Sequence, residues 1–109
     1  MDNKKAIENI IKAIDKITEF TANIDYDKFE SNGMIQDACL MNLTQIGENA
    51  AKVDDSYINN HNEIKWKDMR GLRNIIIHDY DGVNIGIVWD TIKNDLPTLK
   101  KQLLGLNDL

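Results

Sequence analysis

The apolar residues of this chain recur at helical spacing almost from end to end. Near its start, Ile7, Ile10, Ile11, Ile14 and Ile17 lie three, one, three and three positions apart, and Lys4, Lys5, Glu8, Lys12, Asp15, Lys16 and Glu19 fill the intervals. A helix of 3.6 residues per turn gathers those isoleucines on one face, so the spacing predicts an amphipathic helix over 3–20. A second is predicted over 34–53, with Ile35, Ala38, Cys39, Ile46 and Ala50 inward and Leu40, Met41 and Leu43 widening the apolar side. Trp66, Met69, Leu72 and Ile76 mark a third, ending near His78. The last carries Ile85, Val88, Trp89, Ile92, Leu96, Leu99 and Leu103, with Pro97 inside it. Proline removes a backbone donor, but the apolar phase runs on across Pro97, which predicts a kinked helix rather than two. No β-alternation, repeat or linker interrupts this pattern. The expected fold is all-α: an up-and-down bundle of four to five helices in one domain spanning 1–109.

The segments between helices are polar. Residues 21–33 read as irregular, with Asp25 or Asp27 able to cap a short turn, and DDSYINNHNEIK reads as a connector with room for one helical turn. His61, inside that connector, is expected to face water. DYDG breaks the third helix, and Asn84 suits the cap of the next. Ile75, Ile76 and Ile77 are consecutive, so on a helix they point three ways. A bundle this small cannot cover all three, and a second copy of the chain is the expected cover.

Composition narrows the function classes. The chain has 109 residues, 42% hydrophobic and 28% charged, with no apolar run long enough to span a membrane and no signal-peptide core in MDNKKAIENI. Its lone Cys39, in the apolar stretch DACLMNL, is expected to be buried, which fits a reducing cytoplasm. A net charge of −5 argues against broad affinity for nucleic acid but leaves room for a local basic site. The segment KWKDMRGLR supplies one, setting Lys65, Lys67, Arg70 and Arg73 against Asp68 alone. No glycine-rich phosphate loop, cysteine pair or HExxH spacing is present, and the two histidines lie seventeen positions apart, so neither metal nor cofactor is expected.

Three polar side chains stand out in RNIIIHDYDG, residues 73–82: Arg73, His78 and Tyr80. Each has an ordinary structural reading. Arg73 could pair with Asp68 or Glu48, His78 could cap a helix end, and Tyr80 could be core. Together they suit one chemistry. Histidine exchanges protons near neutrality, and the fixed donor fork of arginine matches phosphate and the charge of a five-coordinate phosphorus. Those roles suffice for metal-free RNA cleavage, in which a ribose 2′-OH attacks the adjacent phosphate. Five residues apart on one helix, Arg73 and His78 diverge by about 140°. Two copies meeting along this helix would bring the arginine of one to the histidine of the other.

The series R-N-x-x-x-H-x-Y, formed by Arg73, Asn74, His78 and Tyr80, resembles the signature of HEPN domains. IGENAAKV, then W-x-x-M-R-G-L-R-N, H-D-Y and IVWDTIKNDLPTL, all in order, resemble the HepT-like branch over nearly the whole chain. The resemblance implies an all-helical homodimer with a composite site at its interface. It implies the toxin of a type VII HEPN/MNT toxin–antitoxin module: a metal-independent endoribonuclease, neutralised when an MNT-type nucleotidyltransferase adds AMP to the motif tyrosine. Carried over, Arg73 and His78 become the catalytic pair, Asn74 their polar support and Tyr80 the AMP acceptor. Arg70 and Lys67 become RNA-binding candidates. The competing expectations are a non-catalytic subunit that presents a nucleotide or substrate to a nucleotidyltransferase, and a plain dimeric bundle.

Overall fold

The computed structural model describes residues 2–109, and these are all-helical. Helix α1 (Asn3–Thr21) starts where the Asp2 carboxylate accepts the Lys5 backbone N–H at 2.7 Å. Its isoleucine face is buried through Ile7, Ile10, Ile14 and Ile17. Helix α3 (Gly33–Ala50) is the centre of the molecule, packed against α1 on one side and α5 (Trp66–His78) on the other. Cys39, Leu40, Leu43 and Ile46 fill the space between them with Met69 and Ile76. Burial pushes the Cys39 thiol up to about 11, so it is a core side chain rather than a nucleophile. The described residues measure 41 × 29 × 20 Å, a slab about two helices thick.

Gly47 decides how close α3 and α5 come. A methyl group built there would lie 2.5 Å from the Arg73 Cβ and 2.7 Å from the Met69 carbonyl oxygen. The glycine of the IGE stretch is therefore a packing requirement: the backbone of α3 sits directly against the turn of α5 that carries Arg73.

The segment read as irregular and the polar connector each contain a short helix. Tyr26–Ser31 forms α2, with Asp25 accepting the Lys28 backbone N–H at 2.9 Å. Trp89 holds it from outside, its ring 5.0 Å from that of Phe29 and edge-on to Tyr26. The connector contains α4 (Asp55–Asn60), and His61 does not simply face water. Its ring stacks on Tyr57 at 4.1 Å while Nε2 meets the Asp108 carboxylate at 2.9 Å, and Tyr57 donates its hydroxyl to the other Asp108 oxygen at 2.9 Å. The connector's rings thus clasp the C-terminal tail, which is why its polarity was misleading.

Asn84 caps α6 (Ile85–Asp90) as expected, accepting the Ile87 N–H at 3.1 Å. The helix continues without a break through a π-helical turn, Thr91–Asp95, into α7 (Leu96–Leu104). Within it the Leu96 N–H reaches back five residues to the Thr91 carbonyl, widening the ladder just ahead of Pro97. The apolar phase survives, with Ile92, Leu96 and Leu103 all buried. No described helix is long and apolar enough to cross a membrane.

Candidate functional site

Arg73 lies in the middle of α5, half-exposed, with its guanidinium fixed from two sides. Its Nε donates to Glu48 Oε1 on α3 at 2.5 Å, and one Nη donates to the Asn74 side-chain oxygen at 3.2 Å. Of the two carboxylates the sequence offered, Glu48 is the partner and Asp68 is not. A guanidinium has five N–H donors, so this arrangement leaves a fork of Nη donors for an oxyanion. Asn74, exposed on the same helix, touches the arginine directly.

His78 is the last residue of α5 and is exposed, at a helix end where a cation is favoured. No hydrogen bond or ion pair joins it to Arg73 among the described residues, as their divergence around the helix requires. Ile76 between them is buried at 6%, whereas Ile75 and Ile77 are 61% and 53% exposed. The three isoleucines therefore do point separate ways, and one copy of the chain covers only the middle one.

Tyr80 is not core. It stands past the end of α5, 46% exposed, with its hydroxyl donated to Asp37 on α3. That carboxylate, followed by partial desolvation, raises the phenol above its usual value. Sequence reasoning had not singled out Asp37 at all, and had weighed Glu48 solely as a structural partner. The two are eleven residues apart, about 20° out of register and about 16 Å along α3, so they share one stripe. Each holds one side chain of the R-N-x-x-x-H-x-Y series. A carboxylate repeated after three turns of an otherwise uncharged helix was the available signal. Exposed Met34 and Met41 flank Asp37 on that stripe.

The RNA-binding candidates differ. Lys67 is exposed, but Arg70 is half-buried, its Nη2 is 3.8 Å from Asp55, and its Nε is buried without a partner. Among the described residues no group of three or more His, Cys, Asp or Glu side chains is gathered as metal ligands are. A cavity of about 340 Å³ between the start of α5 and α7 is lined by Met69, Leu72, Leu96 and Leu99, among others, and includes none of Arg73, His78 or Tyr80.

Residues 10–105 match the family model described as "Ribonuclease HepT-like". The chain belongs to the HepT-like family. It is 35% identical over 102 residues to "Putative RNase MJ1380" of Methanocaldococcus jannaschii, covering 94% of each protein. It is 36% identical over 98 residues to "Probable ribonuclease HepT" of Thermococcus cleftensis, covering 90% of this chain and 89% of that one. A Caldanaerobacter subterraneus protein named "Putative RNase TTE0752" is 30% identical over 97 residues, 89% of this chain and 87% of its own. No solved structure matches. The HepT-like fold expected from the resemblance is the all-helical bundle found.

Proposed function

We propose that this HepT-like chain is an endoribonuclease toxin that cleaves RNA without a metal and is silenced by AMP transfer to Tyr80. Membership of the HepT-like family over residues 10–105 is the observation that carries the reading. The geometry supports it, because Arg73 is held by Glu48 with donors to spare and His78 is open to solvent. In the homodimer, the exposed Ile75 and Ile77 meet their counterparts and the arginine of one copy faces the histidine of the other. His78 takes the proton of a ribose 2′-OH as that oxygen attacks the adjacent phosphorus. The bond to the 5′-oxygen breaks and a proton is returned to it, leaving a 2′,3′-cyclic phosphate and a 5′-hydroxyl. Arg73 carries the charge of the five-coordinate phosphorus, and Asn74 steadies it.

Silencing follows from the position of Tyr80. The MNT-type nucleotidyltransferase brings ATP, and the Tyr80 oxygen attacks its α-phosphorus and expels pyrophosphate. Asp37, already bonded to the hydroxyl, receives the proton. The product places about one negative charge and a nucleotide two residues from His78, which excludes RNA.

The test is RNA cleavage in EDTA by the wild-type chain and by His78→Ala, Arg73→Ala and Arg73→Lys. Cleavage by the wild type alone is expected, because an ammonium cannot reproduce the forked phosphate contact. Activity retained by a correctly folded His78→Ala overturns the assignment. A chain that co-purifies with a nucleotidyltransferase and cleaves no RNA would instead be its binding subunit.

A further inference from the structure

A groove of about 260 Å³ runs between α1 and α3, lined by Asn9, Lys12 and Lys16 from the first helix and Asn42, Gln45 and Asn49 from the second. Its chemistry runs against that of the chain. Carboxylates outnumber basic side chains 18 to 13 overall, yet none lines this groove. Neither lysine takes part in an ion pair among the described residues. The amides are set in a fixed order. Asn49 is buried, donating to the Gln45 carbonyl at 2.8 Å and accepting from Asn9 at 3.1 Å, and Asn42 donates to the Ala38 carbonyl at 2.9 Å. Among the described residues, these bonds leave the side-chain oxygens of Asn9 and Asn42, and the whole Gln45 side-chain amide, without a protein hydrogen-bond partner. The groove is thus rich in paired donors and acceptors, carries two free cations and holds no anion.

We propose that this groove binds single-stranded RNA, carrying the strand to one side of the cleavage point, an inference that rests on the ribonuclease reading above. Lysine ammonium groups match backbone phosphates, and carboxamides match the donor–acceptor edges of unpaired bases. A duplex keeps those edges in its interior, so the groove selects single strands. Its place on α3 ties it to Arg73. Gln45 and Glu48 are one turn apart and about 60° around the helix, so Gln45 stands on the ridge between the groove and the carboxylate that holds Arg73. A strand whose phosphate lies at Arg73 meets Gln45 next, then the amides and lysines beyond it. With an overall charge of −5, such local cationic sites are what RNA can approach.

The test uses a fluorescent single-stranded RNA of mixed sequence with 2′-O-methyl riboses, which cannot be cleaved, and the full chain. Lys12→Glu/Lys16→Glu should weaken binding by about tenfold and make its salt dependence shallower, by about 1.4 in log–log slope for two phosphates lost. Asn42→Ala/Gln45→Ala should weaken it with the slope unchanged. In wild type, the side-chain amide NMR signals of Asn42 and Gln45 should move on adding this RNA. Cleavage of a dinucleotide, too short to reach the groove, should be unaffected by either double variant. Unchanged affinity with unmoved amide signals overturns the groove assignment, even if cleavage stands. Groove binding by a chain that cleaves no RNA keeps the groove and overturns the ribonuclease reading. Variants that lose a co-purifying nucleotidyltransferase but bind RNA normally assign the groove to a protein partner and overturn the proposal.

Discussion

Arg73 reaches the surface with its orientation already set, and Glu48 is what sets it. The pair is more than a third exposed on both sides, so it contributes at most about 1 kcal/mol to stability. Glu48→Gln should therefore unfold almost as the wild type does in urea while losing at least tenfold in kcat/KM for RNA, because the guanidinium is no longer aimed. A variant that lost stability and kept activity would reduce Glu48 to a strut. Tyr80 offers a matching test on Asp37. Its phenol lies above the ordinary value of 10.0 because the Asp37 carboxylate accepts its proton. The stability from this bond is fully present below pH 10 and is lost as rising pH ionises the phenol. In Asp37→Ala the Tyr80 absorbance should titrate at lower pH, and AMP addition by the nucleotidyltransferase, followed by mass spectrometry, should slow sharply. Equal rates in both chains, or AMP on another residue, would dismiss Asp37 as the proton acceptor. Arg73, Asn74, His78 and Tyr80 could be picked out as candidates because they lie close together in the chain. Asp37 was not, since its contact with Tyr80 spans 43 positions and no local pattern announces it.

Helix α3 explains why neighbouring elements sit where they do. Gly47 admits the backbone of α5 at the turn bearing Arg73, and even a methyl group would collide with the Met69 carbonyl. Gly47→Ala is expected to cost about 1–3 kcal/mol by forcing the helices apart, outweighing alanine's better helix propensity. Thermal unfolding measures that loss, and a stabilised variant would show that the helices can separate freely. The four main helices were readable because each repeats its apolar stripe over several turns. Helix α2 was not, since six residues are too few to display a period, and it is Trp89 from a distant segment that keeps Phe29 and Tyr26 in place. The site of Pro97 was foreseeable, but its accommodation by a π turn was not: an extra residue in the turn shifts the ladder without disturbing the stripe.

At the scale of the molecule, the exposed apolar side chains Ile75, Ile77 and Met41 ask for a partner surface. Ile75→Asp or Ile77→Asp should convert a dimer to monomer in light scattering, since a carboxylate without a counter-ion is costly inside an apolar interface. A wild-type chain that is monomeric at micromolar concentration defeats that expectation. Association also brings together two chains of net charge −5, so added salt should favour it. The chain ends were the least legible part. The clasp of Tyr57 and His61 on Asp108 joins residues about fifty positions apart, and burial together with the Asp108 bond pushes the Tyr57 phenol up to about 12. Ile75 and Ile77 stand between Arg73 and His78 in the chain, so the surface that must be hidden is threaded through the residues that must be presented. On the composite-site reading proposed above, a solitary copy is both sticky and idle. While copies are scarce, cleavage on that reading grows with the square of their number, so a small amount of chain cuts little RNA and a modest surplus cuts a great deal.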